Sequence, residues 1–180
     1  MTCYGSKDLA RAFRTVRANT IQIAEEIPED KYSFRPAEGT RTVAETLAHV
    51  ATSTNWPQAL HGPRLGAVNF ELFMGTMQQA HAAAAALTTK AQIVEALRTE
   101  GDKFAAFLEA FPDEALAERV SYPSGMQPAD KSRFEMLLSA KEHEMHHRGQ
   151  LMVVERMLGI TPHLTRQMQE RMAQVQAQKA

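Results

Sequence analysis

The positions Leu9, Phe13, Val16, Thr20, Ile23 and Ile27 recur at alternating steps of four and three. A strand would scatter those side chains over both faces, whereas a helix gathers them into one stripe suited to packing at a small crossing angle. Pro28 ends the run, because proline lacks the backbone N–H and crowds the preceding turn. The same period returns along most of the chain and restricts the fold to helices packed on helices. Arg11, Arg14 and Arg17 stand three apart on the first helix and could make a basic stripe, which a solvated face explains at least as well.

After a turn-rich stretch from Ser33 to Gly39, Thr42 and Glu45 form a T-x-x-E capping box. It opens a second helix that carries Val43, Leu47 and Val50 and holds His49 inside it. The segment from His61 to Leu87 is less regular: Gly62, Pro63 and Gly66 break it, Phe70 to Met77 is apolar enough to pack, and Ala82 to Ala86 is all alanine. It reads as a connector with a short helix. From Thr89 the stripe resumes through Ile93, Leu97, Phe104, Leu108 and Phe111, and Pro112 stops this third long helix.

Tyr122-Pro123-Ser124-Gly125 and Pro128 mark a loop with room for an extended piece. Ser132 and Glu135 then cap a fourth helix bearing Phe134, Leu137, Leu138, Leu151, Val154 and Leu158, and Gly159 stands where a left-handed C-terminal cap belongs. Thr161 and Pro162 read as the N-cap and first position of a terminal helix. Its stripe, Leu164, Met168, Met172 and Val175, fits either core packing or a partner helix. No segment offers a convincing set of alternating β-branched residues. The expected architecture is all-α, four long helices with a shorter C-terminal appendage, in one domain spanning 1–180.

With 180 residues the chain can bury a full core without staples. Cys3 is its only cysteine, so neither a disulfide nor a cysteine metal site can form within one chain. Lys7, Asp8, Arg11, Arg14 and Arg17 interrupt the first twenty residues, leaving no apolar core for a signal peptide, and no spanning helix follows. A soluble cytoplasmic protein without a membrane partner is expected. Lys plus Arg total 20 against 21 for Asp plus Glu, with neither sign gathered into a block, which argues against nucleic acid as a partner.

The chemistry of the chain concentrates in Glu142-His143-Glu144-Met145-His146-His147-Arg148-Gly149-Gln150. On a helix, His143 and His147 lie about 40° apart around the axis and about 6 Å along it, so both imidazoles can reach one metal. A bare H-x-x-x-H is equally a polar face or a bundle edge. Gly149 costs a helix about 1 kcal/mol relative to alanine, which asks for close approach of another helix or room for a ligand. A third ligand must come from His49, His61, His81 or His163. His61 and His163 read as loop or helix-end residues and His81 as a helix-surface residue. His49, between Ala48 and Ala51 on a small-residue face, is the best placed, though a core histidine bonded to a neighbour explains it as well.

Two stretches together resemble the DinB/YfiT-like superfamily of metalloenzymes over most of the chain. One is Ile27-Pro28-Glu29-Asp30-Lys31-Tyr32-Ser33-Phe34-Arg35-Pro36 followed by Arg41-Thr42-Val43-Ala44-Glu45-Thr46-Leu47-Ala48-His49-Val50. The other, His143-Glu144-Met145-His146-His147-Arg148-Gly149-Gln150-Leu151, is similar to the family's H-E-x-H-H-R-G-Q-L. The resemblance implies a four-helix bundle in up-down-down-up order, often a homodimer. It also implies a divalent metal held by His49, His143 and His147 with open positions, His146 having no such role. Where members of that family have an assigned activity, it is usually transfer of a low-molecular-weight thiol, such as bacillithiol, mycothiol or glutathione, and many members have none assigned.

Three neutral imidazoles leave a metal its full charge, and they suit zinc or nickel among divalent ions. Glu45 and Gln150 are candidates to orient ligand rings, beside plainer readings as a surface glutamate and a helix-packing glutamine. His143 to His147 also satisfies H-E-x-x-H, in which Glu144 would activate water in a metal-dependent hydrolase. A non-catalytic helical dimer with a structural metal is the third alternative. Trp56, Phe70, Phe73 and Tyr122 are the expected pocket-lining aromatics. With histidines near their ordinary pKa of 6.5, metal release is expected below about pH 6.

Overall fold

The computed structural model describes residues 4–178, so Cys3 lies outside the described residues. Among the described residues seven α-helices follow in chain order: α1 (Ser6–Glu26), α2 (Val43–Thr52), α3 (Asn55–His61), α4 (Phe70–Ala85), α5 (Lys90–Ala110), α6 (Arg133–Met157) and α7 (His163–Ala177). Two short strands, β1 (Arg119–Ser121) and β2 (Asp130–Ser132), pair antiparallel with Val120 opposite Lys131 and lead directly into α6. They are the extended piece of the Tyr122 loop.

The helix ends form where the side chains demand. Thr42 Oγ1 accepts from Glu45 N while the Glu45 carboxylate accepts from Thr42 N, and Ser132 and Glu135 repeat the exchange. Such boxes satisfy N–H groups the first turn cannot pair, worth about 0.5–2 kcal/mol each. Thr89 and Gln92 add a third at α5. Gly159, with φ of 78°, closes α6 in the left-handed conformation that a Cβ disfavours. α7 starts at His163 with Pro162 as its cap, one residue later than expected.

Four helices make the bundle, and their pairing sets its topology. α1 packs on α5 and α6, and α2 packs on the same two, so α1 faces α2 across the core. Arg14 meets Glu109 and Glu25 meets Arg98, which makes α5 antiparallel to α1. Tyr4 meets Phe134 and Arg17 meets Glu144, so α6 runs parallel to α1. His49 meets His143 while His61 further along meets Arg133, so α2 opposes α6. The order is up, down, down, up.

The core has two main apolar clusters. One holds Ile23, Ile27, Leu47, Val50, Leu97 and Leu151, and the other holds Phe13, Phe104, Leu108 and Leu137, with Phe13 edge-on to Phe104 at 4.8 Å. Between them sits Arg17, which is only 4% exposed, so the expectation of a solvated Arg11–Arg14–Arg17 face fails at this residue. A Cβ on Gly101 of α5 would stand 2.8 Å from Arg17 Cγ, so this mid-helix glycine makes room for the buried arginine.

The segment from His61 to Leu87 is not a connector with a short helix. α4 is a 16-residue helix whose first turn is capped by Asn69, with Oδ1 accepting from Glu71 N at 2.8 Å. Alanine has the highest helix propensity, so the alanine run extends α4 although only Thr76 and Ala80 are buried along it. α4 leans on α2 and α3 and walls one side of the cleft described below. On α7, Met168, Met172 and Val175 are 61%, 54% and 46% exposed, so the chain's own core does not take up that stripe. No helix among the described residues is long and apolar enough to cross a membrane.

Candidate metal centre

α2 and α6 run antiparallel at the position where each carries histidine on its cleft-facing side. His49 Nε2 lies 3.0 Å from His143 Nε2, and His143 Nε2 lies 3.2 Å from His147 Nε2. All three ligand atoms fall within 4.8 Å of one another. Two nitrogens bound to one ion at 2.0–2.1 Å stand about 2.9–3.4 Å apart, so the observed spacings suit a shared cation. The rings meet edge to face, with centroids 4.6 to 4.9 Å apart, which turns each Nε2 toward the common point.

Burial tunes these groups for metal. Desolvation, followed by the charge of Arg41 and the neighbouring imidazoles, lowers His49 to about 4. Desolvation and then His147 lower His143 to about 4. Desolvation also lowers His147, against the opposing hydrogen bond that its ring donates to Gln150. Neutral imidazole is the ligating form, and burial favours it in all three rings.

Gln150 Oε1 accepts from His147 Nδ1 at 2.8 Å, which leaves the His147 Nε2 lone pair facing its partners. The amide of Gln150 in turn donates to His146 Nε2 at 3.1 Å. His146 is exposed and lies outside the three-nitrogen cluster, although its ring stands 5.0 Å from that of His147 and lines the same cleft, and its hydrogen bond goes to Gln150. Glu45 does not orient a ring: it is exposed, caps α2 and pairs with Arg35. Gly149 has nothing within 4 Å of the place a Cβ would occupy, so no close approach among the described residues explains it.

The same α6 turn disposes of Glu144. Its carboxylate is 1% exposed and points into the bundle, where Arg17 donates to both oxygens through Nε and Nη2 at 2.9 Å. Arg17 also donates to Leu97 O and Val50 O. Glu144 therefore cannot serve as the base of an H-E-x-x-H hydrolase, because the residue after a ligand on a helix faces about 100° away.

The three histidines lie on a cleft of about 1360 Å³, above the ordinary 300–1,000 Å³ of small-molecule sites. Trp56 and Tyr122 line it as expected, with Met77, Ala84 and Met136. Phe70 is 69% exposed, and Phe73 packs edge-on against Trp56 at 4.9 Å, so these two do not line it. His81 lines the cleft outside the cluster. His163 is buried between α7 and α1, with Nε2 3.2 Å from Asn19 Oδ1. His61 ends α3, as one of the two sequence readings has it, and it lines the cleft at 1% exposure. Its contact with Arg133, 72 residues on, has no signal in the local sequence.

A four-helix bundle in this order, with three histidines converging from α2 and α6, defines a class of helical metal-site proteins. The sequence profile of the DinB superfamily matches residues 12–151, and the chain belongs to that family. YjoA of Bacillus subtilis is 28% identical over 159 residues, covering 87% of this chain and 92% of that protein. Its crystal structure superposes with a TM-score of 0.64 over 85% of this chain and 92% of that one. A DinB-like protein of Bacillus cereus, 16% identical, gives 0.67 over 89% and 97%. YfiT of Bacillus subtilis, 14% identical, gives 0.63 over 87% and 89% and is described as "a probable metal-dependent hydrolase with an unusual four-helix bundle topology".

Proposed function

We propose that this protein is a divalent-metal-dependent enzyme that transfers a low-molecular-weight thiol to a small electrophile. The convergence of His49, His143 and His147 Nε2 atoms at the wall of a cleft large enough for two reactants carries this reading. A zinc or nickel ion held there would supply Lewis acidity at its open side, where a thiol becomes acidic near neutral pH. The chain's own residues do the rest. Gln150 holds His147 in its ligating tautomer, and Trp56, Met136 and Tyr122 give the electrophile an apolar wall from which water is displaced. The thiolate sulfur bonds to the electrophilic carbon as that carbon's bond to its leaving group breaks, the leaving group departs with the bonding electron pair, and the thiol proton passes to solvent.

Hydrolysis is the competing reading, since YfiT is described as a hydrolase and the same three histidines could serve it. Glu144 offers it no base, so water would need another acceptor. The test begins with the metal content of protein purified without chelator or a nickel column. Thiols are then screened with a panel of electrophiles, alongside ester and peptide substrates. Thiol conjugation that His143→Ala abolishes and Cys3→Ser spares is the expected result. Turnover of esters or peptides without any thiol, or activity that follows Cys3, would overturn it.

A further inference from the structure

His61 closes α3 at 1% exposure and lines the cleft that holds the three ligand histidines. Its Nδ1 lies 3.1 Å from Arg133 Nη1. Arginine carries donors only and stays charged, so His61 Nδ1 accepts and the single proton of the neutral ring sits on Nε2. Arg133 is itself fixed: it is 2% exposed, its Nε donates to Glu118 Oε2 at 2.8 Å, and its Nη2 donates to Arg64 O and Leu65 O. Four anchored contacts thus set the tautomer and tilt of one imidazole. Burial, then the Arg133 charge, lowers His61 to about 4, so the ring is neutral at any physiological pH.

Nε2–H finds no acceptor among the described residues and is not one of the sealed polar atoms, so it is free to donate to a ligand in the cleft that His61 lines. The rim of the cleft is cationic. Arg41 and Lys131 both line it and neither makes an ion pair among the described residues. Arg41 also acts on all three ligand histidines, so a cation held there would add to an unbalanced positive field.

Building on the metal-enzyme reading above, we infer that His61 is a positioning residue whose fixed Nε2–H donates to a carboxylate of the small-molecule substrate, with Arg41 and Lys131 drawing that anion in. Neutral substrates of the same shape bind this cleft more weakly. The donor is directional and uncharged, so it places the carboxylate without itself taking up a proton.

Imidazole-¹⁵N-labelled protein tests the arrangement without any turnover. His61 is expected as the Nε2–H tautomer, unchanged from pH 5 to pH 8, and its resonance is expected to move when propionate or 3-mercaptopropionate is added to zinc-loaded protein. By calorimetry, 3-mercaptopropionate is expected to bind about tenfold more tightly than 2-mercaptoethanol. His61→Asn keeps an acceptor for Arg133, but its shorter amide cannot place a donor where Nε2–H stands, and it should erase that preference while retaining zinc. His61→Gln, whose amide reaches further, should restore most of it.

An Nδ1–H tautomer, a titration between pH 5 and pH 8, or a carboxylate preference unchanged in His61→Asn would overturn the inference. The thiol reading fails separately. If propionate moves the His61 resonance but neither thiol binds through sulfur, the donor stands and thiol transfer falls. If 2-mercaptoethanol binds but neither carboxylate moves His61, thiol binding stands and the donor falls.

Discussion

Arg17 of α1 and Glu144 of α6 form a two-pronged ion pair in the middle of the bundle, their side chains 5% and 1% exposed. Through its further bonds to Val50 O on α2 and Leu97 O on α5, Arg17 touches all four bundle helices. Removing one partner strands the other charge out of water, which costs about 3–5 kcal/mol. Arg17→Met and Glu144→Gln should therefore each lower unfolding free energy by about that amount in urea titrations. The double variant Arg17→Met/Glu144→Leu should recover much of the loss. Folded Glu144→Gln should still bind one metal, because this carboxylate is no part of the histidine cluster. Metal loss in that variant while it remains folded would mean that the pair sets the α6 register at the site.

The long helices were legible because their burial is periodic and their ends carry their own chemistry: Thr42 with Glu45, Ser132 with Glu135, Pro28, Pro112 and Gly159 all act within a few residues. The ligand histidines were legible in part. His143 and His147 follow from helical spacing, whereas His49 was separable from an ordinary core histidine only through resemblance. What escaped depends on contacts distant in sequence. Arg17 looked solvated because its partner lies 127 residues away, and the pairing of His61 with Arg133 spans 72 residues. A mid-helix Gly101 was the available hint, since a glycine there leaves space for a large side chain from another helix. α4 was misjudged because alanine propensity extends a helix even where little is buried.

His146 and His147 are neighbours with opposite expectations. His147→Ala should abolish stoichiometric zinc binding, and His146→Ala should keep it. Gln150→Leu removes the acceptor from His147 Nδ1 and should weaken zinc affinity about 10–100-fold, as loss of such a ring-orienting partner does elsewhere. Equilibrium dialysis against zinc, with circular dichroism to verify folding, measures all three. Full binding by His147→Ala would show that the cluster does not work as assembled.

Metal retention should extend further into acid than histidines with ordinary pKa values allow. His49 and His143 sit at about 4, and His147 is lowered too. A proton competes with metal only as pH falls toward the pKa of the metal-free ligand, so depressed values move release downward. Zinc should stay bound through about pH 5 and leave below it, rather than leaving below about pH 6 as the sequence alone suggests. Dialysis from pH 7 to pH 4 checks this. Release centred near pH 6.5 would mean that the metal-free rings are solvated.

Glu155 on α6 gives the opposite pH dependence. It is 0% exposed, neither carboxylate oxygen has a partner among the described residues, and Glu26 of α1 faces it. Desolvation, then the Glu26 charge, raises it to about 7 from an ordinary 4.5, with Arg166 and Arg156 opposing. The folded protein thus holds a proton that the unfolded chain releases. The native state is favoured at low pH, and that stability is lost as pH rises from about 4.5 through 7, by up to about 3 kcal/mol. Glu155→Met keeps the volume and removes the charge. In urea titrations it should exceed the parent by about 1–3 kcal/mol at pH 8 and by much less at pH 5. An equal gain at both pH values would show that Glu155 does not titrate in this range, and a loss at pH 8 would show that its carboxylate has a partner in solution.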